Sequence, residues 1–181
     1  MREITRNVKL SGLTPIMFDR YSGNNKEQLD VMEKVYRVED NLVLPSLNIM
    51  SFLSATNTES SPQRVVGRGY KVVCKAALSY VQITPFYIPF TRNGKQLTVK
   101  NAGLEVNFAV ARMMKGSLAV PNPKERPFLN TPWELSFNLR LIETPELNES
   151  LLRKLFEIGG NAIGLGTFRG VFGKFKIDEW K

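Results

Sequence analysis

Alternating apolar and polar positions recur along this chain and predict most of its strands. Ile4, Val8 and Leu10 interleave with Thr5, Asn7 and Lys9, so a first strand should bury one face. The most regular case is Trp133, Leu135, Phe137, Leu139 and Leu141 against Glu134, Ser136, Asn138 and Arg140. Leu104, Val106, Phe108 and Val110 give a third strand. Helical spacing appears at Leu147, Leu151, Leu155 and Ile158, with Thr144-Pro145 as cap and first position and Gly159-Gly160 as the stop. A last strand, Phe172 to Trp180, follows. Lys26 to Val38 has the spacing of a helix on Leu29, Met32 and Tyr36, and Leu42 to Leu44 reads as a short strand stopped by Pro45. Ser46 would then cap a helix reaching Ala55.

The remaining segments are punctuated by turn residues. SGLTPIMFDRYSGNN and PNPKERPFLNTP read as loops, and Asn57 to Gly69 as a polar, basic and mobile one. From Tyr70 the chain reads as β-rich but is broken by Pro85 and Pro89, which suits an edge strand or an irregular arm. Asn93-Gly94 is a strong two-residue hairpin signal with Arg92 and Lys95 at its tip. These elements predict one α+β domain over residues 1–181. Its core would be a ferredoxin-like, RNA-recognition-motif type β-α-β-β-α-β arrangement with an antiparallel sheet, and residues 57–103 would form an inserted arm with a basic loop and a β-hairpin.

Composition narrows the chemistry. With 181 residues and 43% hydrophobic content the chain can bury a core. The opening MREITRNVKL is polar and no apolar run could span a bilayer, which predicts a cytoplasmic protein with no signal peptide and no membrane partner. Cys74 is alone, so neither a disulfide nor a cysteine zinc site is expected. The chain has no histidine, which removes the usual general base and histidine-ligated metals. No catalytic residue, metal or cofactor is assigned. Asp19 is the one candidate for a metal-dependent nuclease, and an aspartate beside Arg20 is more often simply solvated.

Charge adds a partner class. The net charge of +8 resides in residues 61–120, which hold nine lysines and arginines against Glu105 alone. Arg64, Arg68, Lys71, Lys75, Arg92 and Lys95 are interleaved with Tyr70, Tyr80, Phe86, Tyr87 and Phe90. Cations neutralise phosphates and rings can stack on unpaired bases, so the pattern suits RNA or single-stranded DNA.

The sharpest local signal is IGLGTFRGVFGKFKI, Ile163 to Ile177, with Gly164, Gly166, Gly170 and Gly173 around Arg169. It leaves a helix and enters a strand, the reverse of dinucleotide and P-loop signatures. Anion binding there would use backbone N–H groups, Arg169, Lys174 and Lys176. A glycine-eased turn into an edge strand explains the same residues without a ligand.

The glycine loop between last helix and last strand, with the Leu44-Pro45-Ser46 turn opening a helix, resembles the RAMP superfamily of CRISPR-associated proteins. The nearest likeness is to the backbone subunits that polymerise on guide RNA. That resemblance implies a ferredoxin-like core, a non-enzymatic role, and RNA held through its phosphates near Gly164, Gly166, Arg169, Gly170 and Lys174. It implies a reaching element, the Asn93-Gly94 hairpin or the Arg64 to Arg68 loop, within a homo-oligomer or CRISPR-like complex. The lack of histidine sets the chain apart from the guide-processing branch, and a stand-alone relative from a phage or mobile element fits equally. Two further classes fit the residues: a nucleotide or cyclic-oligonucleotide binder acting as sensor or sponge, and a viral anti-defence or structural interaction protein.

Overall fold

The computed structural model describes residues 2–181. The chain runs β1 (Glu3–Gly12), β2 (Ile16–Met17), a 3-10 turn (Val31–Lys34), β3 (Arg37–Val38), β4 (Asn41–Pro45), α1 (Ser46–Ser54), α2 (Gln63–Val66) and α3 (Tyr70–Tyr80). It continues through β5 (Val81–Thr84), β6 (Tyr87–Arg92), β7 (Lys95–Gln96), β8 (Glu105–Lys115), β9 (Leu118–Leu129), β10 (Glu134–Ile142), α4 (Glu149–Ala162) and β11 (Phe175–Trp180). This is a mixed α+β fold with antiparallel sheets.

The main sheet has the order β11-β1-β10-β6-β4-β3, and β5 joins β10 beside β6. Its centre is the pair that alternation predicted: β1 lies antiparallel to β10, with Val8 opposite Phe137 and Leu10 opposite Leu135. Ile4, Val8, Leu10, Leu135, Phe137, Leu139 and Leu141 point into one buried cluster with Ile49 and Phe52 of α1, Val73 and Ala77 of α3, and Leu155 and Phe156 of α4. Phe52 has ring centroids 5.3 Å from Phe156 and 5.4 Å from Phe175, so α1, α4 and β11 meet on aromatic contacts. The opposite face of the β1–β10 pair carries Thr5, Asn7, Ser136, Asn138 and Arg140. It has polar side chains and no ring on which a base could stack.

Several elements differ from expectation. Lys26–Val38 forms no helix. Only Val35 of that segment is fully buried, and Leu29 and Met32 are not, so just the 3-10 turn and the two-residue β3 form. Tyr70–Tyr80 is a helix and not β-rich, because Val73, Cys74, Ala76 and Ala77 recur at helical spacing and all are buried. The cap of α4 is Asn148, whose side chain accepts from Leu151 N at 2.9 Å. Its Gly159-Gly160 lies inside the helix, where a Cβ on Gly160 would overlap Phe175 O and one on Gly159 would stand 2.8 Å from Phe52 Cζ. Those glycines permit close packing and do not end the helix. Ser46 opens α1 without a side-chain cap.

The largest difference is the arm. Residues 57–103, expected to project, contribute Val73, Val81, Ile83, Ile88 and Phe90 to the core. The projecting element is the β8–β9 hairpin, eleven paired positions long, which takes in the expected proline loop. Pro121, Pro123 and Pro127 alternate along β9, so their missing N–H groups all fall on the edge turned away from β8. The carbonyls of that edge confirm the direction: Pro127 O accepts from Phe18 N and Glu125 O from Lys34 Nζ. Val106, Phe108, Val110, Met114, Ala119, Pro121 and Pro123 share one exposed face. The Asn93-Gly94 turn forms as predicted, with φ of 51° and 76° and Arg92 paired with Lys95. Among the described residues no helix is long and apolar enough to cross a membrane.

Candidate nucleic-acid interface

The glycine loop divides into a sealed base and an exposed tip. At the base Leu165 N donates to Gly173 O, Gly166 N to Asn48 Oδ1, Thr167 N to Met17 O, Gly173 N to Pro15 O and Lys174 N to Thr14 Oγ1, all within 2.7–3.0 Å. These amides knit β2, the start of α1 and the loop together, so they are committed inside the fold. Gly166, at φ 79°, could not carry a Cβ without meeting Met17 O at 2.5 Å, and a Cβ on Gly173 would overlap Leu165 O. Gly164 and Gly173 are buried. The expected cradle of free amides is therefore absent from the base, where the glycines serve close packing.

The tip is different. Phe168 and Val171 are more than half exposed, and Phe168 adopts a left-handed φ of 51°, an uncommon conformation for a ring-bearing residue. Its ring lies 5.9 Å from Phe172, which in turn lies 6.2 Å from Phe128 at the root of the hairpin. Arg169 is half-buried and its side chain has no hydrogen-bond or ion-pair partner among the described residues. Burial alone pulls its pKa below the ordinary arginine value. A desolvated guanidinium without a carboxylate is the arrangement that an incoming anion relieves. Ser60 Oγ donates to Arg169 O at 3.3 Å, which docks the tip on the loop leading into α2.

From that junction the basic residues run along the helical layer. Arg64 sits in α2, Arg68 in the glycine-flanked turn after it, and Lys71 and Lys75 one turn apart on α3; all four are exposed. Arg64 Nε donates to Glu59 O at 2.6 Å, leaving the rest of its fork free. None of the nine cations of residues 61–120 enters an ion pair among the described residues, whereas Arg6, Lys9, Lys124, Arg126, Arg140, Arg153, Lys176 and Lys181 all do. The fold leaves the charge of its middle third unneutralised.

Not every expected residue joins this surface. Arg92 turns inward and donates to the backbone carbonyls of Pro132, Ala102 and Asn130 at 2.8, 3.3 and 3.1 Å, which fastens the β6–β7 turn. Lys95 is exposed at that turn, on a different element from α2 and α3, and Arg112 and Lys115 lie toward the hairpin end. Gly170 is at the tip and Lys174 at the edge of the sealed base. Asp19, once a metal-ligand candidate, is bracketed by Lys124 at 3.1 Å and Arg126 at 3.0 Å. Burial raises its pKa, but the hydrogen bonds and charges of those two cations outweigh that and hold it below the ordinary aspartate value.

A solved structure shares this fold. One chain of "Cryo-EM structure of the Type III-B Cmr-beta bound to cognate target RNA" is similar over 99% of the present chain, with a TM-score of 0.53 and 12% identity. The present chain spans 60% of that chain's length. No protein-family model and no curated protein matches the sequence. The likeness is therefore one of backbone arrangement alone.

Sequence reasoning missed Phe168, Asn48 and the hairpin. Phe168 had a signal, a bulky residue wedged between Gly166 and Gly170. The hairpin was hidden because three prolines within seven residues read as loop, and only pairing with β8 shows that they occupy one edge.

Proposed function

We propose that this chain is a non-enzymatic nucleic-acid-binding protein of RAMP type, acting in the cytoplasm as a subunit of a larger assembly on RNA or single-stranded DNA. The pairing of β11 with β1, of β1 with β10 and of β10 with β5, with helices in both crossovers, supports reading the centre of the fold as a ferredoxin-like β-α-β-β-α-β core. The similar Cmr-beta structure is described as bound to target RNA, which favours RNA as the ligand.

The observation that carries the proposal is the ridge Arg64, Arg68, Lys71 and Lys75, unpaired with any carboxylate and starting where Arg169 lies at the glycine-loop tip. Exposed cations that a fold leaves unneutralised repel one another, and a polyanion removes that repulsion while releasing its own counterions. Phosphates run along the ridge, and Phe168 offers a ring beside the half-buried Arg169. The polar face of the β1–β10 pair offers no ring for stacked bases, so recognition along the ridge is through the backbone and tolerant of sequence. The β8–β9 hairpin, rather than the Asn93-Gly94 turn or the Arg64 to Arg68 loop, is the reaching element, and its exposed face, apolar except for Arg112 and Glu125, supports side-by-side assembly.

Filter binding of a short single-stranded RNA across salt concentrations tests the proposal. Log affinity should fall with log salt at a slope near −0.7 per phosphate contact, so about −3 for the four ridge cations. A flat response, or a slope unchanged when the ridge is neutralised, would overturn it.

A further inference from the structure

A second cationic site lies away from the ridge, beside the edge strand β3. There Arg20, Glu33, Val35, Tyr36, Arg37 and Tyr87 line a cavity of about 340 Å³, within the size range of small-ligand sites. Val35 is buried and forms apolar lining. Arg20 is held in place because its N donates to Lys34 O at 2.9 Å and its Nε to Glu33 O at 3.0 Å, which leaves its two terminal nitrogens for a ligand. The Arg37 side chain has no hydrogen-bond or ion-pair partner among the described residues, while its backbone pairs β3 with β4. Two arginines thus line the cavity against one acidic residue, Glu33, and the cavity's net charge is positive.

Aromatic rings complete the lining. Tyr87 is 48% exposed and is braced edge-on by Phe86, with ring centroids 4.8 Å apart. Tyr36 lines the same cavity as the fixed arginine, and burial pushes the pKa of its hydroxyl up, with the charges of Arg20 and Asp19 acting on it in opposite directions. A planar fork suited to phosphate oxygens, beside a half-open ring suited to a base, matches one ligand class better than a bare anion or an apolar molecule.

We infer that this cavity binds a nucleoside phosphate, with the phosphate on Arg20 and Arg37 and the base against Tyr87. The ligand is either a free mononucleotide or the phosphorylated end of a strand, which present the same chemistry. The site shares no residue with the ridge and does not depend on it.

Calorimetric titration with AMP, adenosine, inorganic phosphate, and a short oligoadenylate with or without a 5′-phosphate tests the inference. AMP should bind roughly tenfold or more tightly than adenosine or phosphate alone, since each lacks one half of the contacts. Arg37→Ala should weaken AMP roughly tenfold, and Tyr87→Leu should weaken AMP while leaving phosphate alone unchanged. A preference for AMP over both oligonucleotides assigns a free nucleotide, and a preference for the 5′-phosphorylated strand assigns a strand end. Arg68→Ala separates the two sites, because it should weaken long single strands and leave AMP untouched. Loss of AMP binding on Arg37→Ala together with strand binding indifferent to Arg68→Ala would sink the ridge and keep this site. AMP that fails to bind the unaltered protein, or binds Arg37→Ala and Tyr87→Leu equally well, overturns the inference.

Discussion

The glycine loop and the helical ridge are neighbours, joined through Ser60 and Arg169, yet they solve opposite problems. The loop base removes side chains so that backbone can pack on backbone, and its amides are used up by Gly173 O, Asn48, Met17 O, Pro15 O and Thr14. The ridge keeps long charged side chains in water and pairs none of them with a carboxylate. A glycine-rich stretch is thus weak testimony for a phosphate cradle until its amides are accounted for, and unpaired cations are the stronger sign.

The contrast can be broken most severely at the loop base. Gly173→Ala combines a left-handed φ of 75° with an overlap on Leu165 O. Strain of about 1–3 kcal/mol and overpacking of similar size should destabilise the fold by about 2–6 kcal/mol, measured by urea denaturation. A loss under about 1 kcal/mol would mean that the base is looser than its hydrogen bonds imply.

The ridge should respond in the other currency, affinity without stability. Replacing Arg68, Lys71 and Lys75 together by alanine should make the salt slope for single-stranded RNA shallower by about 2. Each change should alter stability by less than about 0.5 kcal/mol, because all three side chains are exposed.

Asp19 sharpens the comparison by showing what paired cations do. Its depressed pKa means that the folded state resists protonation more than the unfolded chain. The stability it contributes is therefore present above about pH 4 and is lost as pH falls through the still lower folded value. Asp19→Asn should cost about 1–2 kcal/mol at neutral pH, flatten that acid limb, and leave RNA affinity unchanged or higher, since Lys124 and Arg126 are released.

Arg169→Ala should give the smallest change in stability, none or a slight gain, since it removes a desolvated charge with no partner. RNA affinity should nevertheless fall. A matching loss of stability would assign Arg169 to the sealed base instead of the tip.

Patterning of side chains carried the core by itself. The alternation in β1 and β10 and the spacing in α4 are repeated many times over, so burial had only one way to satisfy them, and the α+β antiparallel plan followed. The Asn93-Gly94 turn was equally legible because few other residues accept positive φ at both central positions. What the tertiary structure decided were the contacts between distant segments. It turned three prolines to one edge and made a long hairpin, drew Tyr70–Tyr80 into the core as a helix, and held Arg92 on three carbonyls. It also used the loop glycines against Met17 and Leu165. Such outcomes depend on which surface each segment meets, and local sequence does not encode that partner. The charge of residues 61–120 could be counted beforehand, but only the fold could show that none of it is ion-paired among the described residues.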